Sequence, residues 1–132
     1  MNASSSGLAT ILLVEDNAAI RGAFRLLLEE HGYRVLDTGS GGEALRLARS
    51  DPPDLVLLDL GLPDVPGLEV ATQLAATRET MPIVALTGRA LETDREACLL
   101  AGCTEYLVKP LDSERLLRVL DGQLLKSGAA AD

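Results

Sequence analysis

Apolar runs of about four residues, rich in Leu, Ile and Val and free of internal polar residues, recur along this chain. Ile11-Leu12-Leu13-Val14, Leu55-Val56-Leu57-Leu58, Ile83-Val84-Ala85-Leu86 and Tyr106-Leu107-Val108 are four of them, and Arg34 to Leu36 is a shorter fifth. A strand with one wet face alternates polar and apolar residues. Unbroken runs suit strands buried on both faces, as in a parallel sheet covered by helices.

The segments between the runs carry helix start and stop signals. Asn17 can cap a helix whose apolar stripe is Ile20, Phe24, Leu27 and Leu28, with Gly32 just past its end. Ser40-Gly-Gly-Glu43 reads as a capping box ahead of Leu45, Leu47 and Ala48. Pro66-Gly67 precedes a helix bearing Val70 and Leu74. Thr93 and Glu96 form a further box, in a helix that starts there or nearer Ala90 and ends at Gly102. Asp112 opens the last helix, with Leu116, Val119, Leu120 and Leu124 facing inward. Five strand–helix repeats with short links predict right-handed crossovers and an α/β, doubly wound fold: a five-stranded parallel sheet with helices on both sides.

The 132 residues fit one domain over about 10–126, with residues 1–9 and 127–132 read as flexible tails of small and polar residues. A net charge of −8 excludes nucleic acid as a partner, because so acidic a chain repels phosphate backbones. No apolar stretch approaches the ~20 residues of a membrane span, and the first ten residues lack a signal-peptide core. The expectation is a cytoplasmic protein without a membrane partner. Cys98 and Cys103 have neither CxxC spacing nor a nearby His, so they read as packed thiols, not a metal site or redox pair. His31, just before Gly32, suits the negative end of a helix and reads as structural.

Each run gives way to a polar residue. Counted in chain order, Glu15-Asp16 succeeds the first, Asp59 the third, Thr87 the fourth and Lys109 the last. Doubly wound sheets bind ligands outside the carboxyl ends of their strands, where strand order reverses. An order 2-1-3-4-5 puts that point between the first and third strands, and leaves Asp37 of the second at the sheet edge, away from the site. Two carboxylates about 4 Å apart repel by about 4 kcal/mol at an effective dielectric of about 20, so such a site needs a proton or a cation. Oxygen donors without His or Cys point to Mg²⁺ or Mn²⁺, not zinc. A carboxylate beside the metal is a candidate nucleophile toward phosphorus, with the Lys109 ammonium and the Thr87 hydroxyl to neutralise the transferred group. The other basic residues are all Arg except Lys126, and a compact ammonium meets a phosphate oxygen as a point charge.

Glu15-Asp16, Asp59, Thr87 and Lys109-Pro110, with the stretch Asp59-Leu-Gly-Leu-Pro63 and Gly67, resemble the receiver domains of two-component response regulators over about residues 10 to 126. The resemblance implies the flavodoxin-like (βα)5 fold and the order 2-1-3-4-5, which is that family's order and not one obtained from spacing. It implies that Asp59 accepts a phosphoryl group from a histidine kinase, a histidine phosphotransfer protein or a small donor. Asp16 and Asp59 then ligate Mg²⁺ directly, Glu15 acts through water, and the Gly61 carbonyl completes the protein ligands. Thr87 and Tyr106 form the switch, altering the face of the fourth helix, fifth strand and fifth helix for a downstream protein. Gly61 and Arg89, two residues past Asp59 and Thr87, tune the phosphoryl lifetime. Pro66 and Gly88 depart from the family, which often has a small polar residue and Ala there. The implied protein is a stand-alone signalling phosphoacceptor, capable of self-catalysed phosphotransfer and autodephosphorylation but not a turnover enzyme. One alternative is a receiver excised from a hybrid histidine kinase or longer regulator. Another is a haloacid-dehalogenase-type phosphohydrolase, which needs a second Asp two residues after its nucleophile, where this chain has Gly61.

Overall fold

The computed structural model describes residues 8–78, 80–88 and 92–128. Along them run β1 (Thr10–Val14), α1 (Ala18–Glu30), β2 (Arg34–Thr38), α2 (Gly41–Ser50), β3 (Leu55–Asp59), α3 (Gly67–Thr77), β4 (Ile83–Thr87), α4 (Glu92–Leu100), β5 (Glu105–Val108) and α5 (Ser113–Ser127). Every residue of β1, β3 and β4 is buried, so the unbroken apolar runs become the three central strands. Neighbouring strands are all parallel, and the order is β2-β1-β3-β4-β5, as expected.

Alternation along each strand divides the core in two. Leu12, Val14, Val56, Leu58, Ile83 and Ala85 pack toward Ala44, Val70, Leu74 and Cys98 of α2, α3 and α4. Ile11, Leu13, Leu57, Val84, Leu86 and Leu107 pack toward Leu28 of α1 and Leu116, Leu120 and Leu124 of α5. Each such Leu, Ile or Val contributes about 1.5–3 kcal/mol by leaving water, which is why the sheet needs helices on both faces.

The caps agree with the local sequence apart from three corrections. Asn17 Oδ1 accepts the Ile20 N–H at 2.9 Å, but Ile20 itself is exposed, so the buried stripe of α1 begins at Phe24. Ser40 Oγ accepts the Glu43 N–H at 3.1 Å, yet the Glu43 carboxylate takes the Thr38 hydroxyl at 2.9 Å instead of reaching back to Ser40. The box closes on one side only, because the Ser40 N–H already donates to Thr38 Oγ1. Thr93 lies inside α4, whose described part begins at Glu92, while Ala90 falls outside the described residues. Asp112 caps α5 as expected, and His31 closes α1 with its Nε2 3.0 Å from Asp121 Oδ2 on α5. Cys98 and Cys103 are buried free thiols on either side of the α4 C-terminus, where the Cys103 N–H donates to Cys98 O at 3.1 Å and Gly102 adopts a φ of 115°. Among the described residues, no helix is long and apolar enough to cross a membrane.

Gly67 fixes how closely α3 approaches the loop after β3. A Cβ there would lie 2.6 Å from Leu60 Cα and 2.7 Å from its carbonyl oxygen. Neither backbone atom can give way cheaply. Gly67→Ala is expected to destabilise the fold by about 1–3 kcal/mol, read as a lower urea midpoint at unchanged slope.

Candidate functional site

β1 and β3 are neighbours with Val14 opposite Leu58, so the next residues along, Glu15 and Asp59, emerge side by side. Backbone bonds carry the ladders just past the strands. The Glu15 N–H donates to Thr38 O at 3.0 Å, Leu60 N–H to Leu86 O at 2.9 Å, and Lys109 N–H to Thr87 O at 2.7 Å. One carboxylate oxygen from each of Glu15, Asp16 and Asp59 lies within 4.8 Å of the others. Lys109 Nζ stands 3.3 Å from Glu15 Oε1 and 3.4 Å from Asp59 Oδ2. The four strand ends thus deliver three carboxylates, an ammonium and the buried Thr87 to one edge of the sheet.

Burial sets the electrostatics. Glu15 is 2% exposed and Asp59 7%, whereas Asp16 faces solvent. Removal from water raises the Glu15 pKa, and the nearby Asp59 carboxylate adds to the rise; the Asn17 N–H, at 3.1 Å, and the Lys109 ammonium only partly offset it. For Lys109, burial works against the charge, but the carboxylates of Asp59 and Glu15 outweigh it and hold the ammonium above its ordinary value.

The folded protein therefore binds the Glu15 proton more tightly than the unfolded chain does. Ionised Glu15 costs stability at neutral pH; that cost fades as pH falls through the raised folded value and is gone below the ordinary carboxylate range. Glu15→Gln keeps an acceptor without the charge. It is expected to stabilise the metal-free protein near neutral pH, with the gain vanishing in acid; urea midpoints measured across that range check it.

The loop after β3 is tied at two points. The Gly61 N–H donates to Asp59 Oδ1 at 3.0 Å. Asp64 accepts the Gly41 and Gly42 N–H groups at 3.0 and 3.1 Å and the Ser40 hydroxyl at 2.9 Å. Those donors at the start of α2 hold the Asp64 carboxyl far below the usual carboxylate range. Nothing local in the sequence marks Asp64, since its partners lie more than twenty residues upstream. Tyr106 is buried opposite Ala85, and Thr87 is two residues further along β4, so the two switch candidates share one sheet face. Arg89 lies outside the described residues. Edge strand β2 runs one residue past Asp37, to Thr38, and Asp37 is not remote: it accepts Arg21 Nε at 3.0 Å, and Arg21 Nη1 donates to the Glu15 carbonyl at 2.8 Å.

The donor set at this edge is all oxygen, gathered around a buried pair of like charges. It fits a hard divalent cation such as Mg²⁺, which takes one or two carboxylates and leaves positions for water and phosphate. The ammonium beside Asp59 supplies a second positive charge for an incoming anion.

Comparison with known proteins agrees with this chemistry. The family model for the response regulator receiver domain matches residues 11–121. The polar-differentiation response regulator DivK of Brucella ovis is 39% identical over 117 residues, spanning 87% of this chain and 95% of that protein. A CheY-like receiver domain protein from Methanospirillum hungatei superposes with a TM-score of 0.88 at 30% identity, over 92% of this chain and 97% of its own. The receiver domain of a sensor histidine kinase from Pseudomonas aeruginosa, solved with a magnesium ion coordinated in its active-site cleft, gives a TM-score of 0.81 at 37% identity. That match covers 89% of this chain and 98% of the other.

Proposed function

The chain belongs to the response regulator receiver domain family, and on that footing we propose that Asp59 is the phosphoacceptor of a cytoplasmic two-component phosphorelay. One observation carries the reading: the Lys109 ammonium lies within 3.4 Å of Asp59 at the sheet edge where three carboxylates converge. Asp16 and Asp59 would hold Mg²⁺, with the Gly61 carbonyl and Glu15 completing the oxygen set. Mn²⁺ suits the same oxygens. When bound, the metal supplies positive charge to the carboxylates and to the phosphoryl oxygens.

The chain's own groups do the rest. An Asp59 carboxylate oxygen attacks the phosphorus of a phosphohistidine on a histidine kinase or histidine phosphotransfer protein. The P–N bond breaks, and the imidazole keeps the electron pair. Lys109 turns its ammonium from Asp59 toward the new phosphoryl oxygens, and the Thr87 hydroxyl donates to one of them. Movement of Thr87 frees space on the face it shares with Tyr106, biasing the surface of α4, β5 and α5 toward a downstream protein partner. Reversing a 1:99 equilibrium takes about 5.5 kcal/mol, within reach of a few charge-assisted hydrogen bonds of about 1.5–3 kcal/mol each. Gly61 leaves water a path to the phosphoryl group and so helps to set its lifetime.

Incubation with Mg²⁺ and acetyl phosphate tests the reading. The intact protein is expected to gain one phosphoryl mass, to lose it on hydroxylamine treatment as an acyl phosphate does, and to gain none in excess chelator. Absence of the gain with Mg²⁺ present overturns it. Sustained turnover of p-nitrophenyl phosphate points instead to a phosphohydrolase.

A further inference from the structure

We propose that Arg21 is a positioning residue for the metal-binding acidic pair, clamped in place by Asp37 and by the absence of a side chain at Gly39. The inference rests on reading Glu15, Asp16 and Asp59 as the Mg²⁺ site. β1 ends at Val14, so the carbonyls of Glu15 and Asp16 lie beyond the strand. Arg21, in the first turn of α1, reaches back to them: Nη1 donates to Glu15 O at 2.8 Å and lies 3.5 Å from Asp16 O. Its Nε donates to Asp37 Oδ2 at 3.0 Å, so one guanidinium fork joins α1, the end of β2 and the turn after β1. The other Asp37 oxygen is held by Arg25 Nη1. The Arg21 side chain is only 24% exposed. A Cβ on Gly39 would sit 2.8 Å from Arg21 Nη1 and 3.4 Å from Asp16 Cα, so glycine is what leaves room for the fork.

The backbone at Glu15-Asp16 sets where both carboxylates point. Mg²⁺ demands near-ideal geometry, and groups that orient metal ligands are commonly worth ten- to a hundredfold in affinity. Charge alone predicts the opposite effect. A guanidinium beside a cation site repels the metal, so deleting a bystander arginine tightens binding. The sign of the change therefore separates a positioning role from a bystander.

Mg²⁺ affinity, followed by amide chemical shifts in the unphosphorylated protein, tests the clamp in wild type, Arg21→Ala, Arg21→Lys and Gly39→Ala. Arg21→Ala is expected to weaken Mg²⁺ binding about tenfold. Arg21→Lys is expected to rescue little, because one ammonium cannot span the carbonyls and Asp37 together. Gly39→Ala leaves every charge in place and only displaces the fork, so weaker binding there reports geometry alone. Thermal unfolding of each variant establishes that it is folded. Equal or tighter binding in folded Arg21→Ala and Gly39→Ala overturns the clamp while the metal site stands. A wild-type protein that binds no Mg²⁺ overturns the metal site, and the clamp with it.

Discussion

Asp59→Asn is expected to abolish phosphorylation by acetyl phosphate while the protein stays folded. The amide has nearly the carboxylate's shape, and its oxygen can still accept the Gly61 N–H that Asp59 Oδ1 accepts now. It lacks an anionic oxygen able to form the acyl phosphate bond. Intact-mass measurement should show no phosphoryl gain over a time in which the wild type is fully modified. Removing one of two like charges packed against a single ammonium should leave the metal-free fold as stable as the wild type, or more so by about 1 kcal/mol. A variant modified at the wild-type rate would move the acceptor elsewhere and undo the proposed chemistry.

Lys109→Ala should affect both rate and stability. The ammonium touches Glu15 and Asp59 in the resting protein and is aimed at the oxygens that carry charge during transfer. Loss of one such preorganised group commonly slows reactions of this kind by about 10²–10³-fold, and that is the drop expected in the rate of phosphoryl uptake. The same substitution leaves two buried carboxylates without their cation. Lys109 is itself partly exposed, which reduces the penalty, so the expected loss is about 1–3 kcal/mol in urea unfolding at neutral pH. The Lys109 pKa is raised by folding, so its contribution is fully present below the ordinary lysine value and disappears only as pH climbs through the higher folded one. Lys109→Arg should recover charge but little rate, since a planar fork does not place a point charge where the ammonium sits. Equal phosphorylation rates in Lys109→Ala and wild type would remove Lys109 from the transfer step.

The elements were legible wherever neighbouring residues decide the outcome. Four-residue runs of Leu, Ile and Val became strands buried on both faces, and Asn17, Ser40 and Asp112 became caps, because each depends on residues within a turn or two. Glu15, Asp59, Thr87 and Lys109 were legible for a related reason. In a parallel sheet, the residue at the end of each strand reaches the carboxyl edge. The reciprocal capping bond at Glu43 was not, because the Thr38 hydroxyl competes for the carboxylate only once β2 delivers it there.

The sequence alone determined the layers, the burial of the central strands and the residue types at the shared edge. Only the tertiary structure decided what grips that edge. Arg21 meets Asp37 across sixteen positions, and Asp64 meets the start of α2 across twenty-three, with no periodicity to announce either contact. The reason is that chain ends of helices and strands leave N–H and C=O groups unpaired by local structure. Which charged side chain satisfies them depends on which elements packing has brought alongside.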